Sequence, residues 1–396
     1  MIARSFIPIL LAIVLSDWYI DRHYLRRRHH LSWPKRLLWW VPCLLMMVYT
    51  CVLSMTNGFV PEEMTWLNIY LLLVGIIVGP KFVFVLCSLI GSLVRRYIIR
   101  TAINWGHRVG VVLGLLGMLT YLYGYIWGVG EIQVRHIDLT FADLPEAFDG
   151  YRIVQTTDLH LGTFRGWRHQ ILSDEMDSVR AQHADLVLFT GDLQNMLPEE
   201  VDPEVPVMRQ AMKGKQGTIA ILGNHDYGQY AHATPEMAQT MRQHLLRTMQ
   251  KDLGWTVLLN NHTVIRKQLN GRTDSIIICG EENDGKPPFP QVANIAQTTR
   301  GLSPSQFVIM LQHDPSAWRR NILPNSSAQL TLSGHTHGGQ MQICGWRPTM
   351  LRYTEDLGLY EQQGRYLYVS AGMGGVVPFR LNMPNEITVI TLHKKQ

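Results

Sequence analysis

Apolar positions fall into three long runs early in the chain and many short ones after them. Leu37 to Met55 is almost entirely apolar and has the length of one membrane span. Trp66 to Val94 is longer and is interrupted near its middle by Gly79-Pro80-Lys81. Val109 to Val129 is a third, glycine-rich run. Ile2 to Ile20 is a weaker candidate, because Arg4, Pro8 and Asp17 break it. Three such runs inside the first 130 residues are too many for buried core helices, so three to four transmembrane helices are expected over 1–130. Beyond residue 131 the runs shorten to strand length: RIVQTT (152–157), LVLFT (186–190), TIAIL (218–222), SIIIC (275–279), FVIML (307–311), QLTL (329–332), LYVSA (367–371) and ITVIT (387–391). Helical spacing covers 169–182 and 236–252, while the prolines of 198–206 and 284–291 read as loops. The pattern predicts a membrane region over 1–130 and a mixed α/β domain over 131–396.

Charge divides at the same place. The net +5 conceals 12 Lys and Arg against 4 Asp and Glu in residues 1–130, and 24 against 27 in the rest. The C-terminal part is thus slightly acidic, which argues against nucleic acid as a partner. The basic residues of the first part sit in loops. Residues 21–36 hold Arg22, Arg26, Arg27, Arg28, Lys35 and Arg36, and 95–108 hold Arg95, Arg96, Arg100 and Arg108. The intervening loop holds only Glu62 and Glu63. Positive loops stay cytoplasmic, which puts the C-terminal domain on the extracytoplasmic side of a cell membrane. A re-entrant hairpin at Pro80-Lys81 would invert this, but only by moving 95–108 outside against the rule, so one kinked span is expected. The stretch 95–108 also has the composition of a basic interfacial helix. A cleaved signal peptide fits poorly, because the charges follow the first apolar run instead of preceding it. Five scattered cysteines form neither a disulfide framework nor a thiolate metal site.

The chemistry gathers where the predicted strands end. The first runs into Asp158-Leu-His160, the second into Gly191-Asp192 and the third into Gly223-Asn224-His225-Asp226. FVIML runs into Gln312-His313-Asp314, and QLTL into Ser333-Gly334-His335-Thr336-His337. Ligands in α/β sheets collect at the carboxyl ends of strands. Oxygen and imidazole donors without thiolate suit Mn²⁺, with Fe or Zn²⁺ also compatible. A carboxylate can bridge two such ions, and a two-metal site clamps both oxygens of a phosphoryl displacement.

In the order DxH, GD, GNH[DE], H and GHxH, these blocks resemble the calcineurin-like metallophosphoesterase superfamily, and the resemblance spans essentially all of 131–396. It implies a four-layer αββα sandwich and two divalent metal ions. Asp158, His160, Asp192 and His337 would bind the first ion. Asp192, Asn224, His313 and His335 would bind the second, with Asp192 as the bridge. His225 would face the substrate as proton donor or charge stabiliser, and Asp226 would orient its imidazole. Attack would come from a metal-bound hydroxide. One departure stands out: GDxxD is common in the family, and here Asn195 ends GDLQN. The Gly-rich tail SAGMGGVVPFRLNMPNEITVITL (370–392) resembles membrane-associated bacterial phosphoesterases, some of which cleave lipid pyrophosphates.

The expected activity is hydrolysis of a phosphoester or pyrophosphate, with a lipid-linked substrate and the bilayer as partners. Two other readings compete: a phosphatase on soluble or cell-envelope phosphoesters with the membrane as tether, and a non-catalytic metal-binding membrane sensor. Exposed apolar residues beside the metal site favour a lipid; a polar, open site favours a soluble ester. His169, His183, His232, His244 and His262 lie outside the motifs and are expected on the surface or in packing. Arg165, Arg168 and Arg380 are expected as solvated charge, and Gly372, Gly374 and Gly375 as a substrate loop or a tight turn.

Overall fold

A computed structural model describes residues 2–27, 29–55, 64–99, 102–231 and 233–395. Arg28, Glu62, Glu63, Arg100 and His232 lie outside the described residues, as does the side chain of Arg4. The chain forms two compact units, Met1–Trp127 and Gly128–Gln396.

In the first unit, the helices Trp33–Ser54, Met64–Ile99 and Gly106–Gly130 are long and apolar enough to cross a membrane. The middle one runs without a break past Gly79-Pro80, so no hairpin turns at Pro80-Lys81. It widens to π-helical hydrogen bonding at Val74–Val78, just before the proline. Pro80 lacks an N–H and its ring crowds the carbonyl four residues back, and the wide turn absorbs both. Helix Ile2–Ile20 joins the bundle through polar contacts. The Lys81 ammonium donates to both Asp17 carboxylate oxygens at 2.7 and 3.0 Å, and Tyr19 and Ser88 share a hydroxyl hydrogen bond of 2.7 Å. Arg36 holds Asp21 in a two-point pair at 2.6 Å. The buried glycines 106, 110 and 114 form a small-residue stripe that lets its helix approach Cys87, Phe84 and Pro80 of the neighbouring helix. The basic stretch 95–108 is not one interfacial helix: 95–99 extend the preceding helix and 102–105 bend.

The second unit holds twelve strands among its described residues: β1 (Ile132–Phe141), β2 (Tyr151–Thr156), β3 (Leu186–Phe189), β4 (Thr218–Ala220), β5 (Thr256–Val257), β6 (Asn261–Leu269), β7 (Arg272–Gly280), β8 (Val308–Leu311), β9 (Leu330–Ser333), β10 (Gly358–Gln362), β11 (Arg365–Val369) and β12 (Asn385–Lys394). They form two six-stranded sheets, ordered β1-β12-β2-β3-β4-β5 and β10-β11-β9-β8-β7-β6. The centres are parallel, β2 to β3 to β4 in one sheet and β7 to β8 to β9 to β11 in the other.

The layering follows from side-chain alternation along each strand. Ile153, Leu188 and Ile221 face Ile276, Ile278, Ile309 and Leu332 between the sheets. Their neighbours Val154, Val187 and Phe189 turn outward onto Leu172 and Met176 of helix His169–Arg180 and Leu245 of helix Pro235–Arg247. On the far side, Ile277, Cys279 and Met310 pack on Trp318 and Ile322. The result is the expected αββα sandwich. Loop 198–206 is more ordered than its prolines suggest: two 3-10 turns lead into helix Val205–Ala211.

Candidate metal centre

Each motif residue lies just beyond the carboxyl end of a central parallel strand. Asp158 and His160 follow β2, Asp192 follows β3, Asn224 and His225 follow β4, His313 follows β8, and His335 and His337 follow β9. Loops from both sheets therefore meet at one seam. Asp158, His160, Asp192, His335 and His337 all adopt left-handed backbone, with φ between +48° and +72°. Such conformations cost roughly 1–3 kcal/mol each outside glycine and persist where surrounding structure imposes them. The glycines between them give room. A Cβ on Gly334 would lie 2.1 Å from an Asp158 carboxylate oxygen, and one on Gly223 2.2 Å from an Asp192 oxygen.

Donor atoms converge in a chain. His337 Nε2 lies 3.3 Å from Asp158 Oδ1, and His160 Nε2 lies 3.8 Å from Asp158 Oδ1 and 3.6 Å from Asp192 Oδ2. His313 Nε2 lies 3.1 Å from Asp192 Oδ2 and 3.1 Å from Asn224 Oδ1. His335 Nδ1 lies 2.6 Å from Asn224 Oδ1. Asp158, His160 and His337 form one ligand group, and Asp192, His313 and His335 another. Donors bonded to one ion at about 2.1 Å stand about 3 to 3.5 Å apart; the distances here, 2.6 to 3.8 Å, bracket that spacing. Two buried imidazole nitrogens, His160 Nε2 and His337 Nδ1, have no hydrogen-bond partner. Orphaned buried donors and acceptors are costly. The residues thus fit divalent ions on each side of Asp192.

Surrounding atoms fix the rings. His313 Nδ1 donates to the Thr190 carbonyl at 2.8 Å, which leaves Nε2 free to face the cluster. His335 Nε2 pairs with the Tyr353 hydroxyl at 2.9 Å, which turns Nδ1 inward. Burial holds His160, His337 and His335 below the ordinary imidazole range, so all three favour the neutral ligand form. Burial also opposes protonation of His313, but the Asp192 carboxylate outweighs it and pushes the imidazole up to about 10. Burial alone would raise Asp192; the His313, His225 and His160 imidazoles override it and hold it well below the carboxylate range.

His225 stands at the edge of the cluster, stacked on the Tyr230 ring at 4.2 Å. Asp226 does not orient it, contrary to expectation. The Asp226 carboxylate points the other way and accepts backbone N–H groups from Asp192 (2.9 Å), Leu193 (3.1 Å) and Gly223 (2.9 Å). It clasps the β3 and β4 loops together, and burial followed by the nearby Asp192 pushes it up to about 7. The orienting contact comes from the departure noted above: His225 Nδ1 donates to the Asn195 main-chain carbonyl at 2.6 Å. Any residue at 195 offers that carbonyl, so sequence alone carries no sign of it. Tyr353 and Tyr230 lacked a signal too, since neither sits in a motif.

Other expectations divide. His244 meets Asp202 at 3.2 Å, His169 meets Glu204 at 3.0 Å and His262 bonds the Thr298 carbonyl at 2.8 Å, all away from the centre. Arg380 is not solvated: it is 1% exposed and donates to the carbonyls of Ala371, Gly372, Gly374, Met383 and Pro384. A guanidinium's five donors suit that task, and they hold the Gly-rich loop against Asp158 and Leu159. Arg168 is also buried and lies beside Trp167.

Comparison with known proteins agrees with this geometry. Residues 151–339 match the family described as calcineurin-like phosphoesterase, and residues 3–129 match "Probable Calcineurin-like phosphoesterase, transmembrane domain". The chain therefore belongs to the calcineurin-like metallophosphoesterases, metal-dependent hydrolases of phosphoesters, in a form with its own membrane domain. Among its relatives, it is 30% identical over 281 residues to the uncharacterized metallophosphoesterase YkuE of Bacillus subtilis, covering 68% of this chain and 89% of that one. It is 26% identical over 288 residues to an uncharacterized metallophosphoesterase of Aquifex aeolicus, covering 71% and 97%. It is 27% identical over 271 residues to phosphodiesterase YaeI of Escherichia coli, covering 65% and 87%.

Proposed function

We propose that this chain is a two-metal phosphoesterase that cleaves a phosphoester or pyrophosphate bond of a lipid-linked substrate at the extracytoplasmic face of a bacterial cell membrane. The observation that carries the lipid assignment lies just past the GHTH loop. Ile343, Trp346, Met350 and Leu351 are large apolar side chains exposed by 44% or more, all within nine residues. They belong to the metal loop's own surroundings. Arg347 pairs with Asp356, Asp356 accepts the Thr336 hydroxyl through its carbonyl, and Tyr353 bonds His335. An apolar rim with cations beside it suits an amphipathic phosphate. Arg352 lies over the Phe289 ring at 5.2 Å, Lys286 lies over the Tyr353 ring at 5.6 Å, and Phe289 and Tyr353 both flank His335. The basic loops of the membrane unit support the assigned side.

In this reading Asp158, His160, Asp192 and His337 hold one ion, and Asp192, Asn224, His313 and His335 hold the other. The ions, Mn²⁺ by donor chemistry, supply Lewis acidity and an activated water. His225, steadied by the Asn195 carbonyl and the Tyr230 ring, presents its remaining nitrogen to the leaving oxygen. The exposed Ile343, Trp346, Met350 and Leu351 pack the substrate's apolar portion away from water.

The test uses purified full-length protein, stripped of metal and re-supplied with Mn²⁺, on an aryl phosphodiester and on lipid pyrophosphates. Activity should return with Mn²⁺, should favour the lipid substrates, and should fall by about 10²- to 10⁴-fold in His225→Ala with metal content unchanged. Equal rates on lipid and soluble esters would leave the membrane as a tether only. No turnover of any phosphoester by metal-loaded protein would leave the sensor reading.

A further inference from the structure

The membrane unit contains a groove that the phosphoesterase chemistry does not use. It opens between helices Trp33–Ser54 and Met64–Ile99 and encloses about 560 Å³, within the range of small-molecule sites. Its walls are apolar, with Leu38, Ile76 and Ile77 among them, and Lys35, Lys81 and Trp39 also line it. The Lys81 ammonium spends two of its three donors on Asp17 and lies 4.8 Å from the Trp39 ring centroid. The Trp39 indole N–H is buried without a hydrogen-bond partner. Lys35 is exposed in the first turn of its helix, where the chain enters the apolar stretch.

We propose that this groove is a binding site for one anionic phospholipid. An acyl chain lies against Leu38, Ile76 and Ile77, and the phosphate meets Lys35 and the Trp39 N–H. Three arguments select that occupant. A groove in a membrane-spanning bundle faces hydrocarbon, so an acyl chain fills it at no cost in desolvation. Lys35 and Trp39 are one helical turn apart on the same helix, so a phosphate oxygen can accept from the ammonium and from the unused indole donor. Arg22, Arg26 and Arg27 lie on the adjoining segment, and Leu25 from that segment lines the groove. Clustered basic residues beside a membrane span attract acidic headgroups and not zwitterionic ones.

The experiment is lipid counting by native mass spectrometry on the delipidated full chain. The chain is offered equal amounts of phosphatidylglycerol and phosphatidylcholine of the same acyl composition. The expected result is one tightly retained phosphatidylglycerol per chain. Lys35→Glu should lower its preference over phosphatidylcholine by about fivefold or more, and Lys35→Arg should keep it, as one cation near an acidic headgroup requires. Ile76→Trp should expel lipid of either kind by filling the groove. The Lys35 variants alter only an exposed side chain and so guard against misfolding in the larger change. Equal retention of both lipids by the unaltered chain, or phosphatidylglycerol retention that neither Lys35→Glu nor Ile76→Trp reduces, would overturn the proposal.

Discussion

Asp226 and His225 are neighbours in the chain with opposite duties. His225 faces the ligand cluster, while Asp226 receives four main-chain N–H groups from two loops. Asp226→Asn puts an amide N–H₂ against one or more of those donors. Each stranded N–H costs about 1–3 kcal/mol, so the variant should melt lower and bind Mn²⁺ more weakly. Thermal unfolding and metal titration of this variant beside His225→Ala separate the two duties, since His225→Ala should change neither. Glu281 gives a second expectation. Burial, with Asp284 nearby, pushes this carboxyl up to about 7, and Gln312 bonds only one of its oxygens. Between pH 4.5 and 7 the folded chain keeps a proton that the unfolded chain loses, so stability falls as pH rises through that window, by up to about 3 kcal/mol. Glu281→Gln should make that slope shallower, leaving the share of Asp226, and raise the melting point at pH 8; an unchanged profile would contradict the assignment. At this scale the motifs made the clustered imidazoles and carboxylates legible, because each has its own residue type. The supports were not legible. A main-chain carbonyl at Asn195 and a hydroxyl at Tyr353 leave no trace in residue spacing.

Among elements, helix Ile2–Ile20 was the hardest to read and Asp17 is the reason. An acid in an apolar run looks like a broken span until its partner is known. The partner is Lys81, which in sequence marked the kink of a long span. Each charge excuses the other. Removing one leaves a buried, uncompensated ion at a cost of about 3–5 kcal/mol, whereas replacing both with apolar residues of similar volume is close to neutral. Lys81→Met and Asp17→Leu should therefore each lower the detergent melting temperature, and the pair together should restore it. Additive losses in that double-mutant cycle would rule out a direct pair. The strands that escaped notice have a common cause. β1, β5, β6 and β10 lie at sheet edges or pair in hairpins, and much of each is open to solvent, so none forms a continuous apolar run. The buried central strands announced themselves as continuous apolar runs, as strands covered on both faces do.

For the molecule as a whole, the metal centre is also a fastening. Its donors come from β2, β3 and β4 of one sheet and from β8 and β9 of the other. In the proposed reading, ions bound there would tie the two sheets across their seam. At a hundredfold excess over Kd, a bound ligand adds about 2.7 kcal/mol of stability. Chelation of the full chain should then lower its melting temperature by about 5–10 °C, and Mn²⁺ should restore it. A melting temperature indifferent to chelator would mean that ions do not bridge the sheets. Apolar run length and charge both change near residue 130, close to the boundary between the two compact units. The pairing of the sheets was not legible in the sequence, because it depends on contacts between strands far apart in the chain.

β12 is wedged between β1 and β2, with Ile387 opposite Val134 and Ile390 opposite Ile153. It follows both of these neighbours by more than 200 residues in the chain. Until it arrives, β1 has no neighbour and β2 has one bare side. The Gly-rich loop leading into β12, which rests on Asp158, is likewise missing. Folding and chemistry are thereby placed in order. A chain that has not yet inserted β12 also lacks the loop that rests on Asp158, so the site should be complete only after this long-range closure, which is slow by nature.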